Sequence, residues 1–562
     1  MKRLLVIALG LFLVQAAPLF AATQDSVLRA REGAANLLRG KYQEAIDSFD
    51  TALAADDLAD VSRANILNDR GVAKWRLKKT KEAIADFNKS VELFPDYAIV
   101  YNNRGNALLD LGEHEQAILD FSRAIQLAPG YGAAFNNRGN AFLSLGRKED
   151  AMKDFRQAVK LMPTNAVPFN GRGQTHAALG RPFAGVRDFS RAIALNAKYG
   201  DARQNRGLAY VKLERNDDAI GDFTELIAQK PEDASLYLVR GKAYARTRRY
   251  NAAARDLGKA IELDGSLAQA YSARGRVFLD VKQTDKARDD FSVALSLVPD
   301  DVPALVGRAE TYFLQGLPEE ALADLDNALS ANPQSAEALS LRGRVYESLG
   351  RVDDALTDYR AALAHKPDDP YARAGLQKMG QELPPKPESE YVGDEVNGWQ
   401  VRRNTDGSFT AVSRRYPKLA VRLEMYGEGV PEILDWTLMK YSLQGIGLLR
   451  YRAGSMPGKP SSTYEYSVVI DLWKAKVMAV EPHSWGSENA NWEWKQASVT
   501  VTDPDGVANE ITLRQAPTDY YGQGDDYWRG DSWWSDGGPA GPRRQAPRRP
   551  SGGGGLFDWL FR

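Results

Sequence analysis

Apolar residues return at helical spacing along most of the first 370 positions of this 562-residue chain. Within each stretch they fall at i, i+3 or i+4, and i+7, which is the period of an amphipathic helix. Two such stretches alternate with short polar breaks. A proline follows most pairs: Pro95, Pro129, Pro163, Pro231, Pro299, Pro333 and Pro367. Because proline has no N–H to donate, it suits the break before the next helix. The pattern predicts a series of helix–turn–helix units.

The units share a period of 34 residues, which is clearest in a recurring arginine. The arginine seats are Arg70, Arg104, Arg138, Arg172, Arg206, Arg240, Arg274, Arg308 and Arg342. Each arginine precedes a small residue; a second small residue follows twelve positions later, and a large apolar residue four positions after that. In the unit of Arg104 these three are Gly105, Ala117 and Phe121. A fixed period in this range is typical of a solenoid of stacked supersecondary units.

These seats resemble those of the tetratricopeptide repeat (TPR) family, whose pattern is small residue, aromatic, alanine, phenylalanine and proline. The first aromatic seat holds Tyr210, Tyr244, Tyr312 and Tyr346, whereas His176 and Lys74 depart from it. The resemblance implies an all-α, right-handed solenoid of ten repeats over residues 25–369. The first repeat fits if four extra residues lie between Ala52 and Leu67. Residues 370–383 are then expected to form a capping helix over the last apolar face.

The recurring arginine stands sixteen residues before an aspartate in repeat after repeat, as in Arg104 with Asp120 and Arg138 with Asp154. The two residues fall on the two helices of one unit. An active site would not be built nine times over, so we predict structural ion pairs that brace the helix pairs. Arginine suits this role because its fork can hold a carboxylate with two hydrogen bonds.

Polar residues occupy one stripe of the first helix in successive repeats, because positions i, i+4 and i+7 share a helix face. The resemblance implies that this face lines a concave groove. We call its early part the amide stripe: Asn68, Asn102, Asn106, Asn136, Asn140, Asn170, Gln174 and Gln204. Later repeats place the later cations there: Lys242, Arg276 and Arg344.

An amide side chain offers donors and an acceptor that match a peptide unit. We therefore expect the amide stripe to bind an extended polypeptide through its backbone, with the later cations available to an acidic segment. The alternative is that asparagine is merely tolerated on a solvated helix face.

The periodicity changes from 3.6 to 2 after a proline-rich linker at residues 384–390. Residues 419–425 and 464–470 alternate as half-buried strands do, and Asp406-Gly407 indicates a hairpin between residues 399–403 and 409–414. A second turn is expected at residues 503–506. Residues 431–443 predict an amphipathic helix with Gly445 just past its end. We expect a small, mostly antiparallel α+β domain over residues 391–517, which resembles no family known to us.

The two ends of the chain carry their own signals. Lys2-Arg3, an apolar run at residues 4–14 and small residues up to Ala22 predict a secretory signal peptide over residues 1–22, cut after Ala21 or Ala22. The alternative is an uncleaved anchor. We expect a secreted protein of the bacterial periplasm.

Residues 518–562 have a Gly, Trp, Arg and Pro-rich composition that predicts disorder. The chain ends in an apolar group that we interpret as a docking motif: Leu556, Phe557, Trp559, Leu560 and Phe561. This motif and the N-terminus are the two segments expected to meet a membrane, if either does.

Catalytic signals are poor. Cysteine is absent and the four histidines are scattered, so the sequence indicates no cofactor and no metal site. Glu481 and His483 would share a strand face near Asp471, without an evident nucleophile. Lys and Arg (73) balance Asp and Glu (74), so nothing favours nucleic acid.

We therefore predict a non-enzymatic scaffold that binds a protein or extended peptide. Two alternatives remain open: an envelope enzyme whose C-terminal domain is active while the repeats recruit substrate, and an envelope-associated structural protein.

Overall fold

The computed structural model divides the chain into two compact units, with the boundary along the chain between Glu390 and Tyr391. It describes residues 24–55, 57–384, 390–396, 398–404, 407–414, 419–424, 430–438, 446–456, 459–472, 476–484, 491–494, 498–502 and 508–512. The signal peptide, most of the linker, the turn at residues 503–506, the C-terminal tail and its docking motif lie outside the described residues. Among the described helices, none is long and apolar enough to cross a membrane.

The described part of the first unit holds ten helix pairs and one further helix, which confirms the predicted solenoid. The first five pairs are α1 Gln24–Leu38, α2 Tyr42–Leu53, α3 Asp60–Arg76, α4 Thr80–Leu93, α5 Ala98–Asp110, α6 His114–Leu127, α7 Gly132–Ser144, α8 Lys148–Leu161, α9 Ala166–Ala178 and α10 Pro182–Leu195. The remaining helices are α11 Gly200–Lys212, α12 Asn216–Gln229, α13 Ala234–Arg246, α14 Tyr250–Leu263, α15 Ala268–Asp280, α16 Thr284–Leu297, α17 Val302–Leu314, α18 Pro318–Ala331, α19 Ala336–Ser348, α20 Val352–His365 and α21 Pro370–Lys378.

Each repeat turns sharply between its two helices, at a residue with positive φ. Six repeats use glycine there, for example Gly112 at φ 80° and Gly146 at φ 74°. Four use a residue with a side chain: Lys78, Glu214, Arg248 and Lys282, at φ between 57° and 64°. Such a conformation costs an L-residue about 1–2 kcal/mol, so these four turns carry backbone strain.

The small residue after each arginine makes room for the large apolar residue of the same repeat. A Cβ built on Gly105 would lie 2.7 Å from the ring of Phe121, and one on Gly139 would lie 3.1 Å from the ring of Phe155. The ring of Phe155 therefore restricts the size of the residue at position 139. The rings are fully buried and form the centre of each helix pair.

The last helix packs against the final repeat. A Cβ on Gly375 of α21 would fall 2.2 Å from the ring of Tyr359 on α20, so glycine permits this close approach. Ala372 and Leu376 of the same helix are buried. Helix α21 thus lies where the capping helix is expected, ending at Lys378.

The second unit consists of antiparallel sheets in its described part. Its strands are β1 Glu390–Val396, β2 Trp399–Arg403, β3 Phe409–Ser413, β4 Ala420–Arg422, β5 Glu432–Leu438, β6 Ile446–Met456, β7 Lys459–Asp471, β8 Lys476–Ser484, β9 Asn491–Trp494, β10 Ser498–Thr502 and β11 Ala508–Thr512. The sheet orders are β1-β2-β3-β4, β5-β6-β7-β8 and β11-β10-β9. The hairpin of β2 and β3 is confirmed, with Trp399 opposite Ser413.

The predicted helix at residues 431–443 is wrong, because its described part is strand β5 paired antiparallel with β6. A β-bulge lies between Ile433 and Asp435, so Ile433 and Trp436 face the same side although they are three residues apart. Trp436 packs on Trp399 with ring centroids 4.9 Å apart. A bulged strand therefore mimics the i, i+3 spacing of a helix.

Candidate functional site

The amide stripe runs along the first helix of successive repeats, and the structure buries most of it. Five of its members are at most 7% exposed: Asn68, Asn102, Asn106, Asn136 and Asn170. The other three, Asn140, Gln174 and Gln204, are half-buried. The alternative of a solvated face is therefore wrong for the five buried asparagines.

The burial follows from hydrogen bonds that cross from repeat to repeat. Each bond joins an amide of the stripe to the asparagine 35 residues further along, which directly follows the next stripe position. The three bonds run from Asn103 Nδ2 to Asn68 Oδ1 (2.9 Å), from Asn137 Nδ2 to Asn102 Oδ1 (3.0 Å) and from Asn205 Nδ2 to Asn170 Oδ1 (3.0 Å). Each contributes about 0.5–1.5 kcal/mol net, so this amide ladder couples neighbouring repeats.

One rung is missing from the ladder at repeat five. The residue 35 positions after Asn136 is Gly171, which has no side chain to donate. A Cβ on Gly171 would lie 2.2 Å from the ring of Phe155, so a larger residue does not fit there. Asn136 instead donates to its neighbour Asn137 at 3.2 Å.

Three buried amide atoms of the stripe have no hydrogen-bond partner among the described residues. They are Nδ2 of Asn102, Nδ2 of Asn106 and Oδ1 of Asn136. Two are donors and one is an acceptor, and all three lie in repeats three and four. A buried polar group without a partner costs about 1–3 kcal/mol, so this part of the stripe gains most from a ligand that supplies the missing bonds.

The structure gives each later cation its own neighbours rather than a shared site. Lys242 Nζ lies 3.4 Å from Gln269 Oε1, and burial lowers the pKa of Lys242. The guanidinium of Arg344 lies over the ring of Tyr371, 4.7 Å from its centroid, and also near Phe313. These contacts hold both side chains in place.

Arg276 is surrounded by carboxylates. Its Nη1 lies 2.8 Å from Glu310 and 3.9 Å from Glu337, and its Nε lies 3.4 Å from Asp280. The side chain is still 48% exposed. Because its charge is offset locally, Arg276 attracts an acidic ligand less than the sequence suggested.

The predicted arginine–aspartate pairs are present in all nine of the ten repeats that carry the arginine. In each, Nε and Nη2 of the arginine donate to the two oxygens of the aspartate sixteen residues later, as in Arg104 with Asp120 at 2.7 and 2.6 Å. The aspartates are buried: Asp86, Asp120, Asp154, Asp188, Asp222, Asp256, Asp290, Asp324 and Asp358. The interpretation as structural ion pairs agrees with this geometry.

Sequence reasoning missed the third bond of these arginines. Nη1 of Arg104 donates to Asn88 Oδ1 at 2.8 Å, and Nη1 of Arg138 donates to Ser122 Oγ at 3.0 Å. Both acceptors lie sixteen residues earlier, on the second helix of the preceding repeat. Thr224 and Asp326 occupy the same seat. The signal in the sequence that could have revealed this bond is a recurring hydrogen-bond acceptor sixteen residues before the arginine.

Asp69 is a second feature that sequence reasoning missed. It lies beside the start of the amide ladder, where it accepts a hydrogen bond from Asn68 Nδ2 at 3.0 Å. Burial raises the pKa of Asp69 to about 7, against the lowering effect of that bond. The carboxyl therefore changes charge near neutral pH.

His483 and Asp471, which were considered together in the second unit, lie on strands β8 and β7. Asp471 pairs with Lys476 at one end of β8, whereas His483 lies seven residues further along that strand. At about 3.3 Å per residue the two are more than 20 Å apart along the sheet. No group of three potential metal ligands occurs among the described residues.

The chain belongs to the tetratricopeptide repeat family. Sequence models of this repeat match residues 32–98, 98–131 and 132–165, and five overlapping segments between residues 170 and 370. Arrays of this class are scaffolds suited to protein–protein interaction. Comparison with curated proteins finds no match.

Several solved structures are similar to part of this chain. A tetratricopeptide repeat protein from Parabacteroides merdae is 20% identical with a TM-score of 0.39, over 44% of this chain and 99% of that one. YrrB, described as having an unusual peptide-binding site, is 26% identical with a TM-score of 0.30, over 34% and 97%. The TPR domain of P58(IPK) is 18% identical with a TM-score of 0.29, over 63% and 97%.

Proposed function

We propose that this chain is a periplasmic, non-enzymatic scaffold whose early repeats bind an extended polypeptide through its backbone. The amide stripe of repeats two to five forms the floor of the binding groove. The observation that carries the proposal is the set of three buried amide atoms, on Asn102, Asn106 and Asn136, that have no hydrogen-bond partner within the described part of the chain.

The chemistry of these atoms matches a peptide backbone. The two Nδ2 groups donate to carbonyl oxygens of the ligand, and the Oδ1 of Asn136 accepts from an amide N–H. Asn102 can donate through Nδ2 while its Oδ1 keeps the bond from Asn137, and Asn136 can accept through Oδ1 while its Nδ2 keeps the bond to Asn137. Binding then removes a penalty that the free protein carries.

The half-buried members extend the same surface toward repeat six. Asn140, Gln174 and Gln204 follow one another along α7, α9 and α11, each with a primary amide. Because a single neutral bond contributes only about 0.5–1.5 kcal/mol, several repeats must act together. Recognition of this kind requires little of the ligand's side chains.

The signal peptide that the sequence predicts would suit this role. The expected signal peptide would deliver the chain to a compartment where newly exported polypeptides are still extended. A scaffold that binds backbone without a particular side chain suits such ligands, which bury little apolar surface of their own.

The test is site-specific photo-cross-linking in the full chain, in its own compartment. A photoreactive residue at Gln174 lies on the stripe, whereas one at Lys153, with a side chain 77% exposed on the second helix of repeat four, is the control. We expect the Gln174 position to capture a polypeptide that the Lys153 position does not.

Equal capture at both positions would contradict the groove. Capture only from positions in β2 or β7 would favour the alternative, in which the C-terminal domain carries the activity and the repeats recruit its substrate.

A further inference from the structure

A groove of about 660 Å³ lies at the seam where repeats two and three meet, among helices α4, α5 and α6. Its walls are largely apolar: Ile84 of α4 is half-buried and Leu108 of α5 is buried, whereas Leu119 of α6 is 71% exposed. Arg104 and Asp120 also line the groove, and their charges are paired with each other. Ligand pockets typically enclose about 300–1,000 Å³, so this groove has room for several side chains of a partner.

Leu119 distinguishes this seam from the others. The equivalent position of the other nine repeats never holds a large apolar residue; it holds Asp47, Ala85, Lys153, Arg187, Gly221, Arg255, Asp289, Ala323 and Thr357. Leu111, which lines the same groove, is also 40% exposed. The two leucines thus form an accessible apolar surface that only this seam has, and such a surface suits a partner with apolar side chains.

The charges of this seam are reversed relative to those of other seams. Lys81 of α4 and Glu113, directly before α6, line the groove, and no ion pair joins either of them to another described residue. At four other seams the same two positions hold a carboxylate and then an arginine: Glu115 with Arg147, Glu149 with Arg181, Asp217 with Arg249, and Glu319 with Arg351. Asp217 and Arg249 form an ion pair, so residues at these two positions can reach each other. Only the seam of repeats two and three has the cation first and the carboxylate second.

The chain itself ends in a segment that complements this groove. The docking motif supplies five large apolar side chains, with Asp558 among them and Arg562 directly after them. Asp558 is opposite in charge to Lys81, and Arg562 is opposite in charge to Glu113. Residues 513–555 connect the motif to strand β11 and can span at most about 150 Å when fully extended, so the motif can reach another molecule.

We propose that this groove binds the docking motif of a second copy of the chain. The apolar side chains of the motif cover Leu119 and its apolar neighbours. Asp558 pairs with Lys81, and Arg562 pairs with Glu113. Because groove and motif are different surfaces, the contact is heterologous, and each added copy offers a free groove or a free motif to the next. The copies therefore join head to tail. This proposal is independent of the polypeptide groove.

The test is the self-association of the full chain, measured by sedimentation velocity between about 1 and 100 μM. We expect the mean mass to rise with concentration, and a chain that ends at Gly555 to stay monomeric. A synthetic peptide of residues 551–562 should bind the shortened chain and dissociate the assemblies of the full chain. A full chain that is monomeric throughout this range would overturn the proposal, and so would assembly that persists in the shortened chain.

A variant of the groove tests where the motif binds. Leu119→Lys installs the residue that repeat four has as Lys153, and we expect it to weaken self-association by about tenfold or more because the apolar contact is lost. Leu314→Lys is the matched control, since Leu314 of α17 is 57% exposed and should not affect self-association. Circular dichroism checks that both variants fold. Equal self-association of the two variants would overturn the assignment of the groove.

Charge reversal tests whether groove and motif recognise each other. Lys81→Glu/Glu113→Arg gives this seam the charge order of the next seam, and we expect it to weaken self-association by about fivefold or more because like charges then meet. Adding Asp558→Arg/Arg562→Asp to the same chain should restore self-association. General clustering of apolar tails would not respond in this way. A correctly folded combined variant that associates no better than Lys81→Glu/Glu113→Arg would overturn the proposal.

Discussion

Arg104 holds both carboxylate oxygens of Asp120 and, through its third nitrogen, the side chain of Asn88 in the preceding repeat. One guanidinium therefore joins the two helices of its own repeat to the second helix of its neighbour. The arginine is 20% and the aspartate 10% exposed. The recurrence of this arrangement makes it the main polar connection along the solenoid.

Removing one partner should leave a buried charge uncompensated. We expect Arg104→Leu to lower the free energy of unfolding by about 3–5 kcal/mol, measured by urea denaturation. Arg104→Leu/Asp120→Leu should recover much of that loss, because an apolar pair of similar size replaces both charges. A double variant no more stable than the single one would show that the ion pair is not the cause.

The small seat beside each ring sets the spacing of the helix pair. Gly139→Leu should lower the free energy of unfolding by about 1–3 kcal/mol, because its side chain would run into the ring of Phe155. The control is Gly221→Leu, since a Cβ on this helical glycine meets nothing within 4 Å. If Gly139→Leu has the same melting temperature as both Gly221→Leu and the parent chain, the packing described for these seats is incorrect.

The strained inter-helix turns offer a stabilising change. Lys282 has φ 61° in a seat where Gly316 of the next repeat has φ 77°. We expect Lys282→Gly to raise the free energy of unfolding by about 0.5–1 kcal/mol, because glycine adopts this conformation without strain. Lys286→Gly, inside helix α16, should instead destabilise. A loss of stability in Lys282→Gly would argue against the left-handed turn.

The sequence predicts the parts of the fold that follow from a repeated local pattern. It predicts less well the features that depend on how neighbouring repeats pack against each other. The 34-residue recurrence of residues such as Arg104 predicted the helix pairs, and the sixteen-residue spacing from Arg104 to Asp120 predicted the ion pairs. The burial of Asn102 could not be predicted, because it depends on how α5 and α7 stack. The strand at Ile433 was mistaken for a helix because its bulge shifts the alternation by one residue.

Asp69 should make the stability of the first repeats depend on pH. Burial raises its pKa from 3.8 to about 7, so the folded state binds the proton more tightly than the unfolded state. Its contribution is therefore fully present below about pH 4 and is lost as pH rises toward 7. Above about pH 7 the Asp69 carboxyl is ionised in both states, so it should cause no further change in stability with pH.

The variant that tests this is Asp69→Asn, which keeps an oxygen for the bond from Asn68. We expect it to melt higher than the parent at pH 8 and to lose the difference at pH 4. The control is Asp25→Asn, an exposed carboxylate with a side chain 76% exposed. A variant less stable than the parent at pH 8 would contradict the raised pKa.

The amide stripe serves two purposes, and they can be separated. Asn137→Ala removes a ladder bond to Asn102 and should lower Tm. Asn106→Ala removes a buried donor without a partner among the described residues, so Tm should stay the same or rise. Only Asn106→Ala should weaken binding of the captured polypeptide directly. If Asn106→Ala instead lowered Tm and left binding of the polypeptide unchanged, the stripe would be purely structural.

The most direct test of the groove is the affinity of the captured polypeptide after chemical change of its backbone. We predict that N-methylation of single peptide bonds within the bound stretch weakens binding by about fivefold or more, because each removes one backbone donor. Alanine replacement of its side chains should have little effect. Binding that is insensitive to N-methylation but lost on alanine replacement would contradict backbone recognition by the amide stripe.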